Sequence, residues 1–502
     1  MNTWASITQF ASLHFAIFFL IVFSGCWIIG QRTKARNVFL LVFSYLFYAQ
    51  LGIIPITLLL CSTLFNYSFG NGIVASKKGD KVKWLWSGIG FNLGILGTFK
   101  YYDFFRDSLE DIAFFFGLNA HLPFLYIALP VGISFYTFQA LTYLIDLYRG
   151  HGIRAKSLLD FALYLAFFPQ LLIGPICRSK DLLPQIERTP LKFVPDVPKA
   201  LMLIISGLFK KAIIATILAE HGVADAFEYP EKFSTIGLWG GMIGYSIQLY
   251  CDFSGYTDMA RGYAMLLGFY LPDNFKSPYI ATNIGEFWQR WHITFSQWLR
   301  DYIYIPLGGS RRGKWRVSLN LFLTFLFCGL WHGATWGYVL WGAFHGIALA
   351  VHKRNRDRKR AKGIDPTIKK INHWAALGWC YTFAFVCLSR VVFYAPDLST
   401  ALVYYSRLFS LNSIGLGAEY TMIVAILIGL SLNFIGPTIF NFLHNQLINM
   451  QTVYRKVSTS PVRSTIMGFA FTFITLFLLL GSLIGILLLR PGDVAFYLYF
   501  RF

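Results

Sequence analysis

Residues 318–352 read SLNLFLTFLFCGLWHGATWGYVLWGAFHGIALAVH and contain no aspartate, glutamate, lysine or arginine. The run fits two apolar helices, roughly 318–331 and 334–352, joined as a hairpin with His332 at its apex. A helix is the natural choice because backbone polar groups in hydrocarbon must be satisfied within the segment. Basic connectors bound the hairpin, Arg311 to Arg316 before it and Lys353 to Lys370 after it, the second with nine basic and two acidic residues. Both ends of the hairpin are therefore expected on the cytoplasmic face.

The rest of the chain follows the same plan. Hydrophobic residues make up 56% of the 502 and charged residues 14%, and apolar stretches of about 18 or more residues recur along the whole length. These runs are continuous rather than alternating, which favours helices over a barrel. The expected class is an all-α polytopic membrane protein, one integral domain over 1–502. No internal repeat and no soluble domain stands out. The formal net charge of +20 sits mostly in short connectors, so it sets topology and does not indicate nucleic acid. The cluster at 353–370 reads as a cytoplasmic anchor, with contact to anionic lipid head groups as the other reading. Seven cysteines are scattered singly, and neither a zinc site nor a disulfide framework is indicated.

The first helix is expected at His14 to Gly30, retained rather than cleaved, and Arg32, Lys34 and Arg36 after it place the N-terminus outside. Residues 37–76 carry no charge and fit two crossings of about 20 residues each. Further spans are expected near 84–99, 112–129, 130–148, 158–176, 200–219 and 234–252, with a shorter apolar run at 256–271. After the 318–352 hairpin come spans near 374–395, 419–445 and 464–489. Parity then puts the C-terminus outside with the N-terminus.

An ionisable residue inside a membrane helix is a functional candidate by default. His332 lies in Cys328-Gly329-Leu330-Trp331-His332-Gly333-Ala334-Thr335-Trp336. Burial favours the neutral imidazole that a general base needs, although a core histidine bonded to a neighbouring helix is the plainer reading of the spacing. Trp336 is expected one turn on, on the same face, beside Trp331. A second stretch, 284–306, carries Trp288, Trp291, Phe295, Trp298 and Tyr302 at helical spacing, an amphipathic helix at the interface. His292 and Ser296 share a face there, and an interfacial anchor with an incidental histidine is the plainer reading. The turn Gly308-Gly309-Ser310-Arg311-Arg312 that follows can meet phosphates of a nucleotide-bearing donor. Asp252 is expected to end a long apolar run, and Asp258 to pair with Arg261 at i, i+3. Lys210 and Lys211, inside an apolar stretch, either snorkel or attract donor phosphates. GxSxG, HExxH and a Walker loop are absent, so serine-hydrolase, zincin and P-loop chemistry have no motif to rest on.

At these residues the chain resembles the membrane-bound O-acyltransferase superfamily, in its alginate O-acetylase branch. Phe287-Trp288-Gln289-Arg290-Trp291-His292 with Trp298 to Gly309, and Trp331-His332-Gly333 with Trp341-Gly342 and His345-Gly346, carry the resemblance. Leu129 to Gln139, Phe168-Pro169-Gln170, Asp252 to Met259 and Phe496 to Phe502 extend it, with a signature core at about 125–352. One stretch departs: the branch usually reads Trp-Val-Phe-Phe-Arg-Ala where this chain has Leu388-Ser389-Arg390-Val391-Val392-Phe393-Tyr394-Ala395, which bears on the subgroup and its acceptor.

The resemblance implies about 11–13 transmembrane or re-entrant helices in a ring around a central tunnel. By it His332 is the catalytic histidine and His292 the second tunnel residue, the catalytic pair. Beside them Trp331, Trp336, Trp291, Ser296, Asp252 and Asp258 are candidates for tunnel or positioning roles, and Arg311, Arg312, Lys210 and Lys211 for donor-phosphate contact. It implies acetyl transfer from cytoplasmic acetyl-CoA, with no bound cofactor, across a bacterial inner membrane. The acceptor would be a hydroxyl of an exopolysaccharide such as alginate, or of peptidoglycan, reached through an extracytoplasmic acetyltransferase or esterase-like partner. Two other readings stay open: a lipid or protein acceptor, and a transporter or flippase with a histidine proton relay.

Overall fold

The computed structural model describes residues 8–457 apart from 119–121, 125–128, 192, 193, 195, 364–372 and 411–414. Helices dominate the described residues, and Phe233–Leu416 is an isolated β-bridge. The chain divides into two compact units. One holds residues 1–195, 264–272 and 331–335; the other holds 196–263, 273–330 and the remainder from 336. The expected span at 464–489 and the motif at 496–502 lie outside the described residues.

In the first unit, helix Leu13–Ile29 starts at Ser12, whose hydroxyl accepts from the Phe15 amide at 3.0 Å. It buries one lengthwise seam, Phe15, Phe19, Val22 and Cys26. Leu13, Ile17, Leu20 and Ile21 point outward and stay exposed, the inverse of a water-soluble helix and the arrangement lipid favours. Polar groups turn inward. Asn66 on Ile53–Ala75 and Asn92 on Lys78–Leu96 exchange side-chain hydrogen bonds of 2.6 and 3.3 Å, the usual polar glue between membrane helices. Buried Arg36, on Thr33–Ala49, donates to the Ile186 carbonyl at 2.7 Å and covers the Phe269 ring.

Two expected spans of this unit take other forms. Helix Tyr102–Phe115 stops early because Gly117 turns left-handed at φ 74° and the Leu118 amide bonds back to Ala113. A single helix at 112–129 is thereby excluded. The run at 158–176 breaks into Leu158–Ala166 and the short turn Phe168–Leu171. Pro169 has no amide hydrogen, and its ring would strike the carbonyl of Leu165 in a continuous helix. The break frees the Tyr164 carbonyl, which accepts from Gln139 at 2.7 Å and from Gln170 at 3.1 Å. Both glutamines belong to the motifs quoted above, and both hydrogen bonds end on that one carbonyl.

In the second unit, Thr235–Leu266 runs unbroken for 32 residues, its last three belonging to the first unit. The expected stop at Asp252 therefore does not occur; that carboxylate sits mid-helix, next to a charge partner described below. Val197–Glu220 packs on it at a glycine crossing, where a Cβ on Gly207 would lie 2.5 Å from the Gly255 carbonyl. The 318–352 hairpin forms as Gly313–His332 and Trp336–Ala361. Its two helices touch along a glycine seam: Cβ atoms on Gly329 and Gly342 would lie 2.2 and 2.3 Å from the carbonyls of Tyr338 and Phe325. The run at 419–445 is two helices, Tyr420–Phe434 and one starting at Gly436, bent by 61°. Pro437 at that joint cannot supply the amide a straight helix needs.

Ile53–Ala75, Val197–Glu220 and His373–Tyr394 are each long and apolar enough to cross a bilayer alone. The polytopic membrane class holds.

Candidate active site

His332 is the last residue of helix Gly313–His332, and Gly333 to Thr335 are not helical. Its side chain is buried, with the ring 4.7 Å from that of Trp331. Trp331 in turn stacks on Phe138 and meets Phe135 edge-on, each at 5.8 Å. The last carbonyls of a helix have no partner within it, and here a half-buried lysine takes them: Lys100 Nζ donates to the Trp331 carbonyl and, at 3.3 Å, to that of His332. Lys100 stands in a wide-turn segment, Gly97–Tyr101, that continues helix Lys78–Leu96. Sequence reading passed over it at the edge of an expected span, although a lone lysine among Gly97, Phe99 and Tyr101 was a signal. Because the helix ends at His332, Trp336 begins the next helix and is exposed. The expectation that it shares His332's helical face is corrected by that break.

His292 also sits at a break. Helix Ile284–Arg290 ends before it and Ile293–Leu299 begins after it, so 284–306 is not one amphipathic helix. Its backbone lies in the left-handed region at φ 42°, a conformation that costs a non-glycine residue energy and is often found at functional sites. Neighbouring bonds hold the bend. Asn274 accepts from the Ile293 amide through its carbonyl (2.9 Å) and from the Thr294 hydroxyl through its side chain (2.9 Å). The buried imidazole packs on Phe253 at 4.7 Å and Phe295 at 5.0 Å. Ser296 lies one turn on, its amide bonded to the His292 carbonyl at 2.9 Å. The serine hydroxyl donates to the Trp291 carbonyl at 3.0 Å, closing the end of the preceding helix.

The two lysines and two aspartates of the glycine crossing form two ion pairs, one of them fully buried. Lys211 bonds Asp252, both 2% exposed, and Lys210 bonds Asp258. Asp258 and Arg261 approach to 3.8 Å, as their spacing predicts, while Arg261 bonds Asp273 more closely. Two lysines in an apolar run are thus accounted for by carboxylates on the facing helix. Arg311 and Arg312 remain exposed in a turn where Gly308 and Gly309 both have positive φ and Asn320 holds the Gly309 carbonyl at 3.1 Å.

Two further polar residues are buried in the second unit. His345 is buried with both ring nitrogens bonded: Nδ1 accepts from Trp288 Nε1 at 3.2 Å, and Nε2 lies 3.0 Å from Ser389 Oγ. Since the indole can only donate, Nε2 carries the proton and donates to the serine, whose hydroxyl passes on to the Val386 carbonyl at 2.8 Å. The imidazole ties three helices together. Arg390 follows Ser389, buried, with its guanidinium 4.6 Å above the Trp291 ring.

A family model described as MBOAT, membrane-bound O-acyltransferase family, matches residues 149–395. The chain is 42% identical over 409 residues to a probable alginate O-acetylase of Pseudomonas putida, covering 80% of each chain. It is 36% identical over 429 residues to a peptidoglycan O-acetyltransferase of Helicobacter pylori, covering 80% of this chain and 79% of that one. A teichoic acid D-alanyltransferase of Streptococcus thermophilus is 31% identical over 285 residues, or 52% of this chain and 68% of the relative.

Proposed function

The chain belongs to the membrane-bound O-acyltransferase family and is a multi-pass membrane O-acetyltransferase; on that premise we propose that it carries acetyl from cytoplasmic acetyl-CoA to an extracytoplasmic hydroxyl, with His332 as general base. The observation that carries this reading is a buried imidazole at a helix end whose carbonyls are tied down by Lys100. A fixed, water-poor site is what proton transfer between two bound reactants requires.

The imidazole takes the proton of the acceptor hydroxyl as its oxygen attacks the thioester carbonyl. The tetrahedral oxyanion collapses with cleavage of the C–S bond. The imidazolium returns the proton to the departing sulfur, leaving an O-acetyl ester, CoA thiol and neutral His332. His292 is the second tunnel residue and positions substrate or supports the oxyanion. Trp331, Trp291, Trp336, Ser296, Asp252 and Asp258 line or brace the path. Arg311 and Arg312 are the donor-phosphate contacts we favour, since Lys210 and Lys211 already hold carboxylates.

The acceptor side is read from the relatives: an exopolysaccharide such as alginate, or peptidoglycan, acetylated through an extracytoplasmic acetyltransferase or esterase-like partner. The chain would lie in a bacterial inner membrane with both termini outside. Purified protein in proteoliposomes, with the extracytoplasmic partner supplied on the acceptor side, tests the direction of transfer. Labelled acetyl-CoA supplied on the side of the 353–370 cluster should acetylate acceptor on the opposite side. Label that stays with the donor, or transfer equally well from both sides, contradicts the proposal.

A further inference from the structure

The second unit contains a buried cation that the reaction scheme leaves unused. Arg390 is 3% exposed and lies on His373–Tyr394, a helix long and apolar enough to cross a bilayer. One face of its guanidinium covers Trp291, which is itself 5% exposed and precedes His292. Its Nε has no hydrogen-bond partner, and among the described residues no carboxylate lies within ion-pair distance of it. Among the described residues, its charge acts on His345, Tyr279, Tyr245 and Cys387. Asp252, which also acts on Tyr245, is committed to Lys211.

A guanidinium always keeps its charge, and burying one without a counterion is expensive. The other buried basic side chains described above have oxygen partners: Lys210 and Lys211 have aspartates and Arg36 has carbonyls, as does half-buried Lys100. Arg390 is also held in place, because its neighbour Ser389 is bonded to His345 and through it to Trp288. A rigid fork with one face on an indole and its edge unsatisfied is prepared for an oxyanion, which an arginine binds through two parallel N–H donors.

The geometry points to Arg390 and Trp291 as an anion-recognition subsite of the acyltransferase, taking a substrate-borne carboxylate or phosphate beside His292. This rests on the acetyl-transfer reading and adds a charge requirement to it. The same chemistry has two sources: the phosphates of the thioester donor, or a carboxylate on the acceptor.

The test uses the full chain in nanodiscs, with Arg390→Gln and Arg390→Lys beside the wild type, and measures binding of two ligand pairs. CoA is compared with pantetheine, which lacks the nucleotide phosphates, and an oligouronate with its neutral methyl ester. The wild type should prefer the charged member of one pair by about tenfold or more, the worth of a charge-assisted hydrogen bond. Arg390→Gln should reduce that preference about tenfold, leaving in the CoA pair whatever Arg311 and Arg312 contribute. Arg390→Lys, which keeps charge but loses the flat fork, should lose at least half of it. The pair that shows the effect identifies donor or acceptor. Full retention by either variant, or a wild type indifferent to charge in both pairs, overturns the inference. Acetyl release from labelled acetyl-CoA by the wild type is read separately. Its absence alongside an intact charge preference removes the acetyl-CoA donor reading and leaves the anion subsite of the O-acyltransferase standing.

Discussion

The Lys100 ammonium donates to the main-chain carbonyl of Trp331, the residue immediately before His332. A side chain 231 positions earlier in the sequence thus fixes the end of the helix that carries the proposed base.

Lys100→Met should lower transfer by about 10- to 100-fold, because small misplacements of a catalytic group have effects of that order. Lys100→Arg should recover part of the loss by reaching the same carbonyls. Turnover measured beside thermal unfolding checks this. A Met variant with wild-type turnover would show that the helix end holds itself.

The Lys211–Asp252 pair is predicted to support the fold. Lys211→Met alone leaves a buried carboxylate uncompensated and should cost about 3–5 kcal/mol. The double variant Lys211→Met/Asp252→Leu should regain most of that, since apolar replacement of a whole buried pair is often neutral. Unfolding in detergent gives both values. A double variant less stable than the single would contradict the prediction.

At position 292 backbone and imidazole can be separated. Asparagine tolerates the left-handed region, whereas a β-branched residue does so poorly. His292→Asn should therefore insert and fold with little loss, and His292→Val should be clearly less stable. If the imidazole positions substrate, the folded Asn variant will still transfer acetyl slowly. Wild-type rates from His292→Asn would reduce the residue to a bend.

His345, with both nitrogens bonded inside the protein, should behave as a brace. His345→Ala should destabilise by about 1–3 kcal/mol by leaving the Trp288 indole and Ser389 without their partner. Its turnover per folded molecule should fall much less than that of a His332 variant. Equal losses at the two positions would assign His345 a part in the chemistry.

The helical membrane class and the 318–352 hairpin were legible because lipid-facing helices need long charge-free runs and basic connectors mark their ends. The breaks were not. Hydropathy counts apolar side chains and does not register that Pro169 denies an amide, or that His292 turns left-handed in mid-stripe. Lys210 and Lys211 stayed ambiguous for a different reason: the carboxylates that hold them lie 48 and 41 residues away, on a facing helix. Arg390 entered the sequence reading only as part of a departure from a family stretch; its burial against Trp291 appears only in three dimensions.

Acetyl transfer by His332→Ala and His332→Gln, each shown to insert and melt like the wild type, bears most directly on the account. Loss of a general base typically costs about 100- to 10,000-fold, and both variants should fall by that much with acetyl-CoA binding intact. Transfer at the wild-type rate by either would contradict the assignment of His332 as the base.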